Sequence, residues 1–118
     1  RLPGARGAAL VDWTSGLALG TVGDPPGGDH ETAAAEAAEL ARLAAEQHAF
    51  GPEDGSDATD PPVEDVILSN RDSYHVLRFV PTTFDSSVFL YLWLARAEGN
   101  LALARIRLGE MAERLVLG

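Results

Sequence analysis

This chain contains no cysteine and no lysine. The first absence excludes disulfides, thiolate nucleophiles and thiolate metal sites, and it suits the cytoplasm. The second leaves arginine as the only strongly basic side chain, nine copies against 18 acidic residues, for a net charge of -9. A chain so acidic lacks the basic footprint that a phosphate backbone requires, which argues against nucleic acid as a partner. It also argues against attraction to an anionic membrane surface. Long apolar runs are missing as well. Spanning a bilayer takes about 20 consecutive apolar residues, and no stretch here comes near that, so membrane insertion is not expected. The N-terminus has no charged-then-apolar signal pattern. The abundance of Ala, Gly and Arg beside absent Lys points to a GC-rich genome, which is a statement about composition and not about function.

What is present is enough for a core. The chain has 118 residues and is 46% hydrophobic, the size and composition of one domain. Its longest apolar run is "VFLYLWLA", Val88–Ala95. Alternation would place Val88, Leu90, Leu92 and Leu94 on one face and Phe89, Tyr91 and Trp93 on the other. A strand apolar on both faces needs cover on both, so this run reads as the central strand of a sheet with helices packed on it.

The remaining elements follow from turn and cap chemistry. Residues 8–12 and 17–22 read as two strands around the turn Thr14-Ser15-Gly16. "DPPGG", residues 24–28, is a loop. Asp29 is placed to cap a helix beginning at His30 and running to about Phe50, where Gly51 and Pro52 would stop it. Residues 51–62 are acidic and rich in breakers, a solvated and mobile loop by composition. Residues 63–69 and 74–80 read as strands around "NRDS", and "PTTFDSS" leads into the central run. The last helix is expected over Leu101–Leu117, capped by Asn100. Its apolar stripe is Leu101, Ala104, Leu108, Met111, Ala112 and Leu115, with Glu110 and Arg114 spaced to pair on the solvent side. Two antiparallel groups of strands with interspersed helices define an α+β sandwich of a single domain.

The middle helix carries two stripes. Leu40, Leu43 and Phe50, edged by Glu36 and Gln47, form the bulky one and are expected against the helix's own sheet. Ala34, Ala38, Ala41, Ala45 and His48 alternate in steps of four and three, the spacing of a helix–helix seam. Small side chains let two axes approach closely, and a two-fold copy is the simplest partner. The alternative is that alanine is present only as a good helix former. Glu39, Arg42 and Glu46 share a third, solvated face.

Catalytic patterns are not found. His30, His48 and His75 lack metal-ligand spacing. The serines lie in or beside turns and none sits in a nucleophile elbow. "GTVGDPPGG" has no following Lys and is not a phosphate loop. Glu53, Asp54, Asp57 and Asp60 lack the calcium-loop pattern and read as a solvated run. No catalytic residue, metal or cofactor is therefore expected. Trp13, at a hairpin tip, either folds back on the sheet or serves as an aromatic anchor at a partner interface.

"LPGARGAALVD", residues 2–12, resembles the opening "PGVRGAxLxD" segment of the roadblock (dynein light chain roadblock) family. "NLALARIRLGEMAERL", residues 100–115, is similar to that family's closing helix, and the Ala-rich middle helix fits as well. The resemblance covers nearly the whole chain, on packing patterns of moderate specificity. It implies a five-stranded antiparallel sheet of order 2-1-5-4-3 with helices packed on it. It implies a homodimer joined by the middle helices and by the strand edge that includes Val66, Ile67 and Leu68. It further implies a non-enzymatic regulator or scaffold, similar to MglB-type bacterial regulators, whose partner is a small Ras-like GTPase. In actinobacteria such proteins share operons with a sensor kinase and a GTPase. The GTPase would dock where Glu39, Arg42 and Glu46 reach solvent, with Trp13 as a further contact. Three departures stand out: the helix that usually precedes the first strand is absent or truncated, since the sequence opens at Arg1-Leu2-Pro3 without it, residues 51–62 and "PTTFDSS" are longer than usual, and Trp13 replaces a polar turn residue. The alternative reading is a sensor holding a small ligand between sheet and helix, which would require a sizeable apolar cavity.

Overall fold

The computed structural model describes residues 2–53, 62–81 and 88–117. Most of the acidic 51–62 segment, with Asp54, Asp57 and Asp60, and "TTFDSS" lie outside the described residues. The elements are strands β1 (Ala5–Asp12) and β2 (Leu17–Gly23), helix α1 (His30–Glu46), strands β3 (Asp65–Ser69), β4 (Ser73–Phe79) and β5 (Val88–Ala95), and helix α2 (Leu101–Leu117). The strands form one antiparallel sheet of order β2-β1-β5-β4-β3, with the apolar run as its middle strand.

Both faces of β5 are covered. Phe89 and Tyr91 join Val11, Leu77 and Phe79 beneath α1. Leu90, Leu92 and Leu94 join Val76 and Val80 beneath α2, against Ala104, Leu108 and Ala112. Asp29 caps α1 by accepting from the Glu31 N–H (3.2 Å) and the Thr32 hydroxyl (2.6 Å), and these bonds hold its carboxyl below the usual carboxylate range. Asn100 caps α2 by accepting from the Leu103 N–H at 3.0 Å. The β1–β2 turn is closed by Asp12, which accepts from the Thr14 N–H and hydroxyl at 2.9 and 2.7 Å. Gly16 follows at φ 79°, a left-handed conformation that disfavours any side chain.

Three expectations are corrected. The α-helix ends at Glu46, because Gln47 turns extended and His48–Phe50 form a separate 3-10 turn; Gly51 stops that turn, not the helix. Glu110 pairs with Arg107 at 3.6 Å, one turn earlier, and not with Arg114. The third correction concerns the two stripes of α1. Ala34, Ala38 and Ala41, expected at a helix–helix seam, are 0–1% exposed within this one chain, packed with Ala37 against the sheet. Leu43 and Phe50, expected beneath the helix, are 58% and 63% exposed. The reason is volume. The sheet brings Phe79, Phe89 and Tyr91 to this face, so the opposing helix row must be small for interiors to reach close packing. A leucine row there would overfill the layer.

Candidate interaction surface

With the alanines turned inward, Leu43 and Phe50 of the bulky stripe lie open, while Leu40 packs at the edge of the core. Leu40 is half-buried and borders a groove of about 300 Å³ between α1 and the β3–β4 edge, with Ala37 on its helix wall and Leu68, Leu77 and Tyr91 on its sheet wall. Leu68 is 44% exposed. Leu43 and Phe50 continue the apolar stripe along and beyond the helix. Strand β3 pairs only with β4, so its outer backbone edge is unpaired among the described residues. Val66 faces α1 and packs on the core, whereas Ile67 and Leu68 are exposed, on opposite faces. Of the remaining predicted seam residues, Ala45 is half-buried against the α1 core and His48 is exposed on the 3-10 turn.

One end of the groove is polar and internally satisfied. Asn70 Oδ1 accepts from the Asp72 N–H (2.9 Å), the Ser73 N–H (2.9 Å) and the Ser73 hydroxyl (3.0 Å). Because Ser73 must donate there, its oxygen is left to accept from His75 Nε2, at 3.0 Å. His75 Nδ1 is then the acceptor for the Tyr91 hydroxyl at 2.5 Å. This chain needs a neutral imidazole and a neutral phenol. Burial favours both neutral forms: it lowers the pKa of His75 and pushes that of Tyr91 up to about 12, with the nearby Glu36 adding to the second shift.

The predicted charged face is split. Glu39 and Glu46 are exposed. Arg42 is half-buried, pairs with Glu39 and donates to the Trp13 carbonyl at 2.8 Å, tying α1 to the β1–β2 turn. Trp13 itself folds back under the helix, edge-on to Phe79 with ring centroids 6.1 Å apart, and its indole N–H is buried without a partner. The expectation that it stands out as an aromatic anchor is corrected, since Phe79 and the inner side of α1 offer it a place in the core.

A second apolar surface was not anticipated. Helix α2 covers the β4–β5 half of its face and leaves the β1–β2 half open. Leu17 and Val22, paired with Asp12 and Ala8, fall on that side and are exposed, as is Leu19 at the β1–β2 bulge. Met111 and Leu115, two residues of the expected apolar stripe of α2, are also exposed. The sequence signal was there: Leu17, Leu19 and Val22 place three large apolar side chains on one edge strand.

Among the described residues, no group of three or more His, Asp or Glu side chains is arranged to hold a metal ion. No described helix is long and apolar enough to cross a membrane.

No protein-family profile and no curated protein sequence matches this chain. Solved structures do match its architecture. The Roadblock/LC7 domain from Streptomyces avermitilis superposes with a TM-score of 0.74 at 20% identity, over 98% of this chain and 85% of that one. Myxococcus xanthus MglB gives 0.74 at 17% identity, over 95% of this chain and 74% of that one. A structure of MglB with tetrameric arrangement gives 0.67 at 19% identity, over 98% and 77%. With the sheet order that the resemblance implied now observed, these matches across nearly its full length show that the chain has the Roadblock/LC7 fold.

Proposed function

We propose that this chain is a homodimeric, non-enzymatic regulator or scaffold of a small Ras-like GTPase in the bacterial cytoplasm. The observation that carries the reading is the exposed apolar set Leu43, Phe50 and Leu68, continued by half-buried Leu40, beside the unpaired edge of β3. An exposed apolar edge strand invites pairing with another chain, and a two-fold copy satisfies strand edge and helix stripe at once. The interface is therefore β3, with Val66, Ile67 and Leu68, together with the leucine stripe of α1 and His48; the inward alanines have no part in it. The GTPase docks on the outer face of the paired helices, where Glu39, Arg42 and Glu46 stand, following the family resemblance and the MglB neighbours.

The test uses a Ras-like GTPase captured from the native host, immobilised and titrated at two ionic strengths. Rim charges set association rate and salt dependence. Reversing Glu39 and Glu46 to Arg should weaken capture, most at low salt, while the dimer persists. Unchanged affinity and salt slope would move the site elsewhere. The sensor alternative needs an enclosed apolar cavity, and the α1 groove, open to solvent along β3, supports it less well.

A further inference from the structure

Three of the nine arginines of this acidic chain converge on one cleft at the end of the sheet. Arg6, Arg71 and Arg96 border it together with Asp72 and Trp93, around a space of about 660 Å³. Elsewhere Arg42, Arg78, Arg105 and Arg107 are matched by carboxylates. The three in the cleft make no ion pair among the described residues, although acids outnumber bases two to one over the chain.

Two of them, Arg6 and Arg96, are held in place by other means. Arg6 occupies the step in the β1–β5 register between Ala5↔Leu94 and Gly7↔Trp93, and such a bulge re-aims its side chain. Its guanidinium lies 5.2 Å over the Trp93 ring. Trp93 is fixed in turn, donating its indole N–H to the Asp24 carbonyl at 2.8 Å and stacking with His75 at 5.9 Å. Gly7 makes that approach possible, because a Cβ there would fall 2.1 Å from the Asp24 carbonyl oxygen. Arg96 donates to the Asn70 carbonyl at 3.0 Å and lies 5.3 Å over the Tyr74 ring. Aromatic stacking leaves the forked N–H donors at the guanidinium edges available.

We propose that this cleft binds a phosphomonoester group on a partner polypeptide. Three guanidinium groups against the single carboxylate of Asp72 leave a surplus of two positive charges, which a phosphorylated side chain matches with about -1.5 to -2 charge and three acceptor oxygens. One carboxylate would engage only one fork. A segment with many carboxylates, or a nucleic acid, would meet repulsion from the net charge of -9 over the rest of the chain. A nucleotide would want a free aromatic face, and Trp93 already bears Arg6 and His75. This inference is independent of the GTPase reading.

The experiment titrates the full chain with a short alanine peptide carrying a central phosphoserine, followed by heteronuclear NMR. Saturable shifts of the Trp93 indole N–H and of the residue 71–73 amides are expected, with a Kd of about 0.1–1 mM. Arg6→Gln and Arg71→Gln should each weaken binding at least about fivefold, the loss of one charge-assisted hydrogen bond, and Arg114→Gln, outside the cleft, should leave it unchanged. Arg96 is spared because it also anchors the turn at Asn70. The proposal is overturned if no saturation occurs by about 10 mM. It is overturned equally if the serine or glutamate peptide binds as well, if inorganic phosphate alone binds as tightly, or if the Arg6 and Arg71 variants bind like wild type.

Discussion

The two faces of the sheet are packed with different side chains, aromatics on one and aliphatics on the other. Under α1 the sheet supplies the bulk, Phe79, Phe89 and Tyr91, and the helix answers with Ala34, Ala37, Ala38 and Ala41. Under α2 the sheet supplies aliphatics, Val76, Val80, Leu90, Leu92 and Leu94, and the helix adds Leu108 between Ala104 and Ala112. On neither helix does side-chain size alone track burial: α1 buries alanines and exposes Leu43, and α2 buries Ala104 and Ala112 with Leu108 while Ile106, Met111 and Leu115 are exposed. A helix row cannot be assigned to core or surface by its own size; it must be read against what the sheet opposite already fills. Where aromatics fill the layer, Leu43 is left exposed while Leu40 keeps a half-buried place at the edge of the core.

The strongest way to break this contrast is to remove bulk from the α1 face. Phe89 is fully buried and lies 6.2 Å from the Phe79 ring. Phe89→Ala should cost about 3–5 kcal/mol in denaturant melts, and a loss under 1 kcal/mol would mean the layer closes without it. The complementary change adds bulk. Ala41→Leu should cost about 1–3 kcal/mol by overpacking, while Ala35→Leu, on the exposed side of the same helix, should stay within about 0.5 kcal/mol. Equal effects would erase the distinction between the two sides of α1. The caps sharpen the comparison from the other side, because they treat the helices alike. Asp29→Ala and Asn100→Ala should each cost about 1 kcal/mol.

The smallest effect is a pH dependence confined to the α1 face. His75 has a pKa lowered from its ordinary 6.5, so between its folded and unfolded values the unfolded chain binds more protons. Its contribution to stability is present above pH 6.5 and is lost as pH falls through the folded value. Tyr91 is raised from 10.0 to about 12, so its contribution is present below pH 10 and is lost as pH rises through 12. Stability should therefore show a plateau between these limits. His75→Gln should flatten the part of the acid limb that begins just below pH 6.5, leaving the carboxylate part below pH 3.8, and Tyr91→Phe should flatten the alkaline limb, read by thermal melts across pH. Limbs unchanged in both variants would contradict the assigned hydrogen-bond chain.

Much of this architecture was legible in local sequence. The doubly apolar run Val88–Ala95, the caps Asp29 and Asn100, and the turn at Thr14-Ser15-Gly16 each follow from chemistry within a few residues, and they sit as expected. The orientation of α1 was not legible, because it depends on which rings β4 and β5 bring to the same layer. Trp13 resisted for the same reason: its place under α1 exists only once Phe79 is there. The end of α1 at Glu46 had no Gly or Pro to announce it. The arginine cleft gathers a β1 bulge, the β3–β4 turn and the end of β5, so no linear motif could reveal it. Most of the acidic 51–62 segment lies outside the described residues.

The central claim is that the leucines displaced by the aromatic layer form the dimer surface. Sedimentation velocity at tens of micromolar tests it directly, on wild type and on a Leu43→Arg, Leu68→Arg double variant. Both positions are exposed in the single chain, so the variant should fold with an unchanged circular dichroism spectrum. The account predicts a dimeric wild type and a monomeric variant. A wild type that sediments as a monomer, or a folded double variant that remains a dimer, would contradict it.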